Sequence, residues 1–506
     1  MIPTRYRNVF FLSILLVIVF LTTYFHGHIR RASTPYIEDI HDKFYPDPDP
    51  DPDPPKPIYK HKSQLVLPPV VDNFPLAAAA HSASDLPPIP AWNAPPSDHV
   101  PERTPLFIGF TRNWRVLQQC VVSYITAGWP PQDIYIIENT GVMNSNKNGL
   151  LSLQNPFFLN HTRLEMLGVN VMITPTLLTF AQLQNFFIST AIQNEWGYYF
   201  WSHMDIVALS FENRYDDAVR AGKESPDIAK EPFKWKSLYE NCIDTLRRAL
   251  ALPADSETGS PARWGMRFFS YDRLALVNVA AFVDIGAWDT MIPFYMTDCD
   301  MHWRLEVSGY SIIEDPVGMI YDVASSLDDL LVLYRKVEAN PSGGEVPGVS
   351  FTDPNEVEKK LEEMEQSENE LEAELNNRSL AVRSVQPRDE ASTNNSASTS
   401  VVTAWQEDNP FPSPSPLFLN LLHTLDSMVA SKHSSKGGRN TWQGRAKGGE
   451  GDPFYRDSAG FENAILMTIE HGRRVFAEKW GHRDCDLADV GLKPDDAWLV
   501  EHDWRD

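Results

Sequence analysis

Residues 198–207 read "YYFWSHMDIV": four aromatic side chains in a row lead through Ser202 into His203 and Asp205, and the chain turns apolar again at Ile206. A short run of aromatic residues reads as a strand, and one apolar on both faces reads as a strand of a parallel sheet covered from both sides. In open α/β sheets the carboxyl ends of such strands face the crevice where ligands bind. A strand over Tyr198–Met204 therefore delivers His203 and Asp205 to that crevice. Imidazole nitrogen and carboxylate oxygen both suit Mn²⁺, while Mg²⁺ prefers oxygen alone, so the pair is a candidate divalent-cation site. The competing reading is a turn-capping Asp205 beside a hydrogen-bonded edge histidine.

Working outward, alternating strand and helix signals begin at Thr104 and continue to about residue 336, which indicates an α/β class with a mostly parallel central sheet flanked by helices. The pattern predicts strands at Leu106–Phe110, Ile134–Glu138 and Val169–Thr174, with helices at Trp114–Ala127 and Phe180–Glu195. Further on it predicts a helix over Trp235–Ala251, strand signals at Ala275–Val283, a helix over Asp300–Ser308 and a strand at Ser311–Ile313. Residues 337–440 lose this texture around one acidic stretch, Asn355–Asn376, and read as a low-complexity acidic insertion. Residues 441–506 regain it, with a helix over Phe461–Trp480, and read as a C-terminal part of the same domain.

The flanks carry addressing signals. Val9–Phe25 contains no charge, and its helix would be roughly 25 Å long, close to the thickness of early secretory membranes. No small-x-small cleavage site follows, so an uncleaved transmembrane anchor over 9–25 is favoured over a signal peptide. That leaves a cytosolic tail at 1–8 and a single-pass type II arrangement with the large domain in the lumen of the Golgi or ER. Residues 26–103 are dominated by proline, including "PDPDPDPDPP", and read as a semi-extended stem. N-x-S/T sequons at Asn160, Asn377 and Asn394 fit a luminal address. The four cysteines form no CxxC and leave three pairings open if all engage. Of the net charge of −24, eleven charges sit in residues 353–378 and the Pro46–Pro55 repeat, so the folded part is only moderately acidic. Clustered Lys and Arg, which a nucleic-acid surface needs, are lacking.

A second stretch, "GAWDTMIPFYMTDCDMHWRLEVSGY" at 286–310, puts Asp298 and Asp300 at a helix start. Free first-turn N–H groups there favour a charged carboxylate, which can accept a proton from a substrate hydroxyl if it faces the crevice. Two aspartates separated by one residue point to different sides of the helix, so only one is expected to serve the site.

Taken together, "LFIGFTRNW", "IYIIENTG", "YYFWSHMDI" and "GAWDT…YMTDCDMHWRLEVSGY" resemble nucleotide-sugar glycosyltransferases of the GT-A fold, especially fungal membrane-anchored members, over residues 104–336 and the "EKWGHRD" segment. The resemblance implies transfer of a sugar from a nucleotide-sugar donor to a hydroxyl of a glycan, glycoprotein or glycolipid. It matches the family's metal- and diphosphate-binding D-x-D to His203-Met204-Asp205, with histidine in place of the first acid, and so implies Mn²⁺ or Mg²⁺ on Asp205 and His203. By the same match Asp298 is the base and Asp300 an accessory acid. Thr111, Arg112, Asn113 and Glu138 are implied as nucleotide contacts, Trp288 and Asp289 as contacts to donor or acceptor sugar, and His482 as a further metal ligand. Rival functions are a degenerate, membrane-tethered carbohydrate-binding protein and a metal-dependent hydrolase.

Overall fold

The computed structural model describes residues 13–25, 69–95, 102–214, 235–252, 263–336, 349–355 with 359, 360 and 363, 415–434 and 446–504. The chain divides into two compact units, Met1–Leu67 and Pro68–Asp506. In the first, residues 13–25 form helix α1. At about 1.5 Å rise per residue this described part is roughly 20 Å long, against the ~20 residues that a spanning helix needs. Among the described residues no helix is long and apolar enough to cross a membrane. The transmembrane helix expected over 9–25 is therefore withdrawn from the fold class, which stands as mixed α/β. The cytosolic tail, the aspartate–proline repeat, most of the acidic stretch and the sequons at Asn377 and Asn394 lie outside the described residues.

The second unit is built on a seven-stranded sheet in the order β3-β2-β1-β4-β7-β6-β8, with β1 Leu106–Phe110, β2 Ile134–Glu138, β3 Asn170–Ile173, β4 Tyr198–Ser202, β6 Trp264–Phe268, β7 Leu274–Asn278 and β8 Ser311–Glu314. The pairs β1–β2, β2–β3, β1–β4 and β6–β8 are parallel. Strand β7 runs antiparallel between β4 and β6. A second, two-stranded sheet pairs β5 Ile206–Leu209 with β9 Met319–Asp322.

Period-2 alternation along β1 explains the layering. Leu106, Ile108 and Phe110 enter one core with Leu117, Val121 and Tyr124 of α3 (Trp114–Thr126), whereas Phe107 enters the other with Phe187, Ile188 and Ala191 of α5 (Phe180–Gln193). Strand β4 divides in the same way, Phe200 going to the first core and Tyr199 and Trp201 to the second. With both faces covered, the strand interiors are near-continuously buried, as parallel sheets require. Between α3 and α5 lies the short α4, His161–Met166, whose N-cap is the sequon residue Asn160. Further helices among the described residues are α6 Leu238–Leu250, α7 Val279–Asp284, α8 Thr297–Val307, α9 Pro416–Ser434 and α10 Ser458–Trp480.

Three departures from the sequence expectation bear on the site. The run Ala275–Val283 changes from strand to helix at Val279, where the Asn278 side chain accepts from the Ala280 N–H and caps α7. The folded unit begins well before Thr104: α2, Pro75–Ala79, lies inside the proline-rich stretch, and Phe74 is fully buried in the first core. Finally, α9 rises from the region read as a low-complexity insertion and buries Phe418, Leu421, Leu425 and Met428 in that core.

Candidate functional site

Strand β4 ends at Ser202, and the chain crosses to β5 through His203-Met204-Asp205. This crossing is pinned by backbone bonds: the His203 N–H donates to the Arg273 carbonyl at 3.1 Å, and the Val323 N–H to the Asp205 carbonyl at 2.8 Å. It lies at the carboxyl edge of the parallel strands, as expected. His203 Nδ1 stands 3.7 Å from Asp205 Oδ1, and its Nε2 stands 3.5 Å from Asp272 Oδ2 in the β6–β7 turn. Burial alone would lower the His203 pKa. The Asp272 carboxylate outweighs that, with Asp205 and Asp322 adding to it, and the ring titrates above its ordinary value.

Asp205 has a further partner that the sequence did not suggest. Lys432, near the end of α9, donates from Nζ to Asp205 Oδ2 and to Asp322 Oδ1, each at 2.6 Å, and its side chain is only 3% exposed. Arg273 Nε lies 3.8 Å from the other oxygen of Asp322. Three carboxylates, on Asp205, Asp272 and Asp322, thus face Lys432, Arg273 and a histidine biased toward its charged form.

The Mn²⁺ or Mg²⁺ expected on Asp205 and His203 does not fit this donor set. An ammonium group already sits between two of the carboxylates. Among the described residues, the one group of three His, Cys, Asp or Glu side chains whose donor atoms lie within 4.8 Å of one another is His482, Asp484 and Asp486. There His482 bonds Asp486 at 2.8 Å and Asp503 at 2.6 Å. Its partial burial opposes the charge, but the two carboxylates prevail and raise its pKa. The carboxylates that raise its pKa favour the proton over a metal ion on the ring, because coordination takes the neutral imidazole.

Helix α8 begins at Thr297, after Met296 in a left-handed conformation, and no side chain caps it. The Thr297 N–H donates to the Phe294 carbonyl at 3.4 Å, and the two acids of this first turn, Asp298 and Asp300, diverge. Asp298 is half-buried, with the Tyr271 hydroxyl 3.4 Å from its Oδ2. One turn further on, at the i+4 spacing that places side chains on one helix face, is His302. Burial lowers its pKa, against the opposing pull of Asp298 and of Asp272. Asp272 thus contacts His203 on one side and acts on His302, the neighbour of Asp298, on the other. The two predicted segments converge through the β6–β7 turn, which sequence reading passed over.

Asp300 points the other way and is fully buried. Its carboxylate takes Lys479 at 2.7 Å, Trp480 Nε1 at 3.0 Å and Arg304 at 2.8 Å. That is an internal anchor, and the accessory-acid reading is corrected accordingly. Lys479 also bonds Asp289 at 2.7 Å. Burial would raise the Asp289 pKa, but the bond from Lys479 leads the groups that hold it below its ordinary value. Trp288 is buried against Phe180 and Phe282, so the indole expected to stack on a sugar is a core residue. Cys299 is disulfide-bonded to Cys485, joining α8 to the segment after α10, while Cys120 and Cys242 are buried and reduced.

The proposed nucleotide contacts form a separate group at the ends of β1 and β2. Asn113, in a left-handed conformation, caps α3 by accepting from the Val116 N–H at 3.4 Å. Thr111 is half-buried beside it. The Arg112 guanidinium lies 4.6 Å from the Phe461 ring of α10, and burial brings its pKa down to about 10. Glu138 is fully buried, taking Asn146 at 2.7 Å, His161 at 2.7 Å and Thr140 at 3.2 Å. Its oxygens are committed inside the protein, which corrects the reading of Glu138 as a ligand contact. Two hollows of about 340 and 350 Å³ lie elsewhere, one around Glu102, Trp196 and Tyr198 and one around Leu86, Pro131 and Tyr334.

The sequence reading missed Asp272, Arg273, His302, Asp322 and Lys432. Only His302 carried a local signal, its i+4 spacing from Asp298. The fold and site together define a three-layer mixed α/β protein with a charged cluster at the carboxyl edge of its sheet. No protein-family model matches the chain, and no curated protein sequence matches it. Among solved structures, one that resembles it is a mannosyltransferase from Pyrobaculum calidifontis, PcManGT, in complex with GDP-Man and Mn²⁺. The likeness covers 46% of this chain and 57% of that one at 11% identity and a TM-score of 0.23, too slight to assign a fold.

Proposed function

We propose that this protein is a glycosyltransferase that moves a sugar from a nucleotide-sugar donor to a hydroxyl of a glycan, glycoprotein or glycolipid. The observation that carries the reading is the convergence of the β4 exit and the α8 start on the β6–β7 turn: His203 stands 3.5 Å from Asp272, and the hydroxyl of the adjacent Tyr271 lies 3.4 Å from Asp298. In this reading the diphosphate lies at the β4 exit, with Arg273 and His203 as the nearest cations. Asp298, at the start of α8, takes the proton of the acceptor hydroxyl as it attacks the anomeric carbon and the diphosphate departs. The Tyr271 hydroxyl, 3.4 Å from Oδ2, orients that carboxylate, with His302 one helical turn away. Thr111 and Asn113 remain the nucleotide contacts, with Arg112 beside them. The Cys299–Cys485 disulfide supports an oxidising compartment, in keeping with a secretory-pathway address.

The test is a donor screen on the full chain, with released nucleoside diphosphate as the readout. Transfer to an acceptor from at least one nucleotide sugar is expected, and hydrolysis that needs no acceptor would favour the hydrolase. Binding of a glycan without turnover of any donor would favour the carbohydrate-binding protein.

A further inference from the structure

We infer that Lys432 is the resident cation of the Asp205 site, so that the protein takes up no divalent metal ion there. The functional meaning rests on the reading above, since an ammonium that neutralises Asp205 and Asp322 would leave Arg273 and His203 to meet the diphosphate; the statement about metal binding is independent of it.

The lysine is built into its position. It needs α9, which is held in the first core by Phe418, Leu421, Leu425 and Met428. The end of the helix is fixed as well, because the Ser431 hydroxyl donates to Asp353 at 2.7 Å and Asn355 Nδ2 donates to the Ser431 carbonyl at 2.9 Å. From there Nζ reaches two carboxylates at 2.6 Å each and the Val323 carbonyl at 3.5 Å. Asp205 and Asp322 come from the two strand ends of the small sheet, where Ile206 pairs with Asp322. Two carboxylates brought together at one strand pair repel each other unless a cation lies between them. In many proteins a divalent ion fills that role, and here a side chain does. A metal ion approaching Asp205 would meet a like charge at hydrogen-bond range in a partly desolvated place, with Arg273 behind it. It could bind only by expelling Lys432 from a position that is 3% exposed.

Titration of Mn²⁺ into the full chain, with free Mn²⁺ followed by electron paramagnetic resonance, tests this without reference to activity. Wild type and Asp205→Asn should bind Mn²⁺ alike, any shared binding lying outside the Asp205 site. Lys432→Met should gain a site on the order of tenfold tighter, which adding Asp205→Asn abolishes. A wild-type Mn²⁺ site that disappears in Asp205→Asn would overturn the inference, and so would a folded Lys432→Met that gains nothing. Should Lys432→Met fail to fold, the wild type against Asp205→Asn still decides, with Asp322→Asn as a second variant of the same kind. Failure of every donor in the activity screen would remove the transferase reading and leave these titrations standing.

Discussion

Two lysines from the C-terminal helices do the same thing at two places with different results. Lys432 of α9 bridges Asp205 and Asp322. Lys479 of α10 bridges Asp289 and Asp300. Around Lys479 the centre closes: Asp300 has no exposure, Arg304 and Trp480 complete its bonds, and the disulfide lies one residue away, with Asp289 and Arg304 22% and 18% exposed at the rim. Around Lys432 the cluster stays open on one side, where the His203, Asp272 and Arg273 side chains are 31%, 25% and 26% exposed. A buried ion pair whose hydrogen bonds are all used internally is a fastener. One that leaves charged neighbours facing solvent is a place for chemistry, so openness distinguishes the two clusters where residue type does not.

The sharpest test uses two aspartates two residues apart. Asp298→Asn should lower turnover by about 10²–10⁴-fold, the span of a lost general base, and leave the melting temperature near that of wild type, since its carboxylate is half-exposed. Equal loss of stability would break the contrast. Lys479→Met should do the opposite, leaving the buried Asp300 with Arg304 as its remaining cation and costing about 3 kcal/mol, the lower end for a broken buried pair, in urea unfolding. Opening the disulfide with Cys299→Ser and Cys485→Ser together should cost roughly 2–4 kcal/mol, because it closes a long loop, separation 186 residues; the same unfolding experiment reads it.

The smallest effect is in acid. Asp289 has a folded pKa below its unfolded value of 3.8. Its pairing with Lys479 therefore contributes in full above that value and is lost as the pH falls through the folded one. The urea midpoint should drop below about pH 4, and Asp289→Asn should flatten that part of the profile. A profile identical in the variant would show that the Lys479 cluster is held by Asp300 alone.

Much of the scaffold was legible because local patterns dictate it. Strands β1, β2 and β4 and helices α3, α5 and α8 fall within a few residues of where periodicity, aromatic runs and helix-start acids put them. Asp205 at a strand exit and Asp298 at a helix start were legible for the same reason, as was the divergence of Asp298 from Asp300. Amphipathic period and capping are properties of neighbours in the chain.

The partners of those residues were not legible, because they are set by contacts across the sequence. Nothing near Asp205 announces Lys432, which is 227 positions away, nor does "IYIIENTG" reveal that Glu138 is consumed by Asn146 and His161. Trp288 and Asp300 look like site residues by the family resemblance and are core and anchor by packing. The sequence alone determined a parallel-stranded α/β scaffold with acids at two element ends. Which of those acids face solvent and which are neutralised was decided by the C-terminal helices α9 and α10, since a carboxylate's role depends on the charge and burial that the folded chain brings to it.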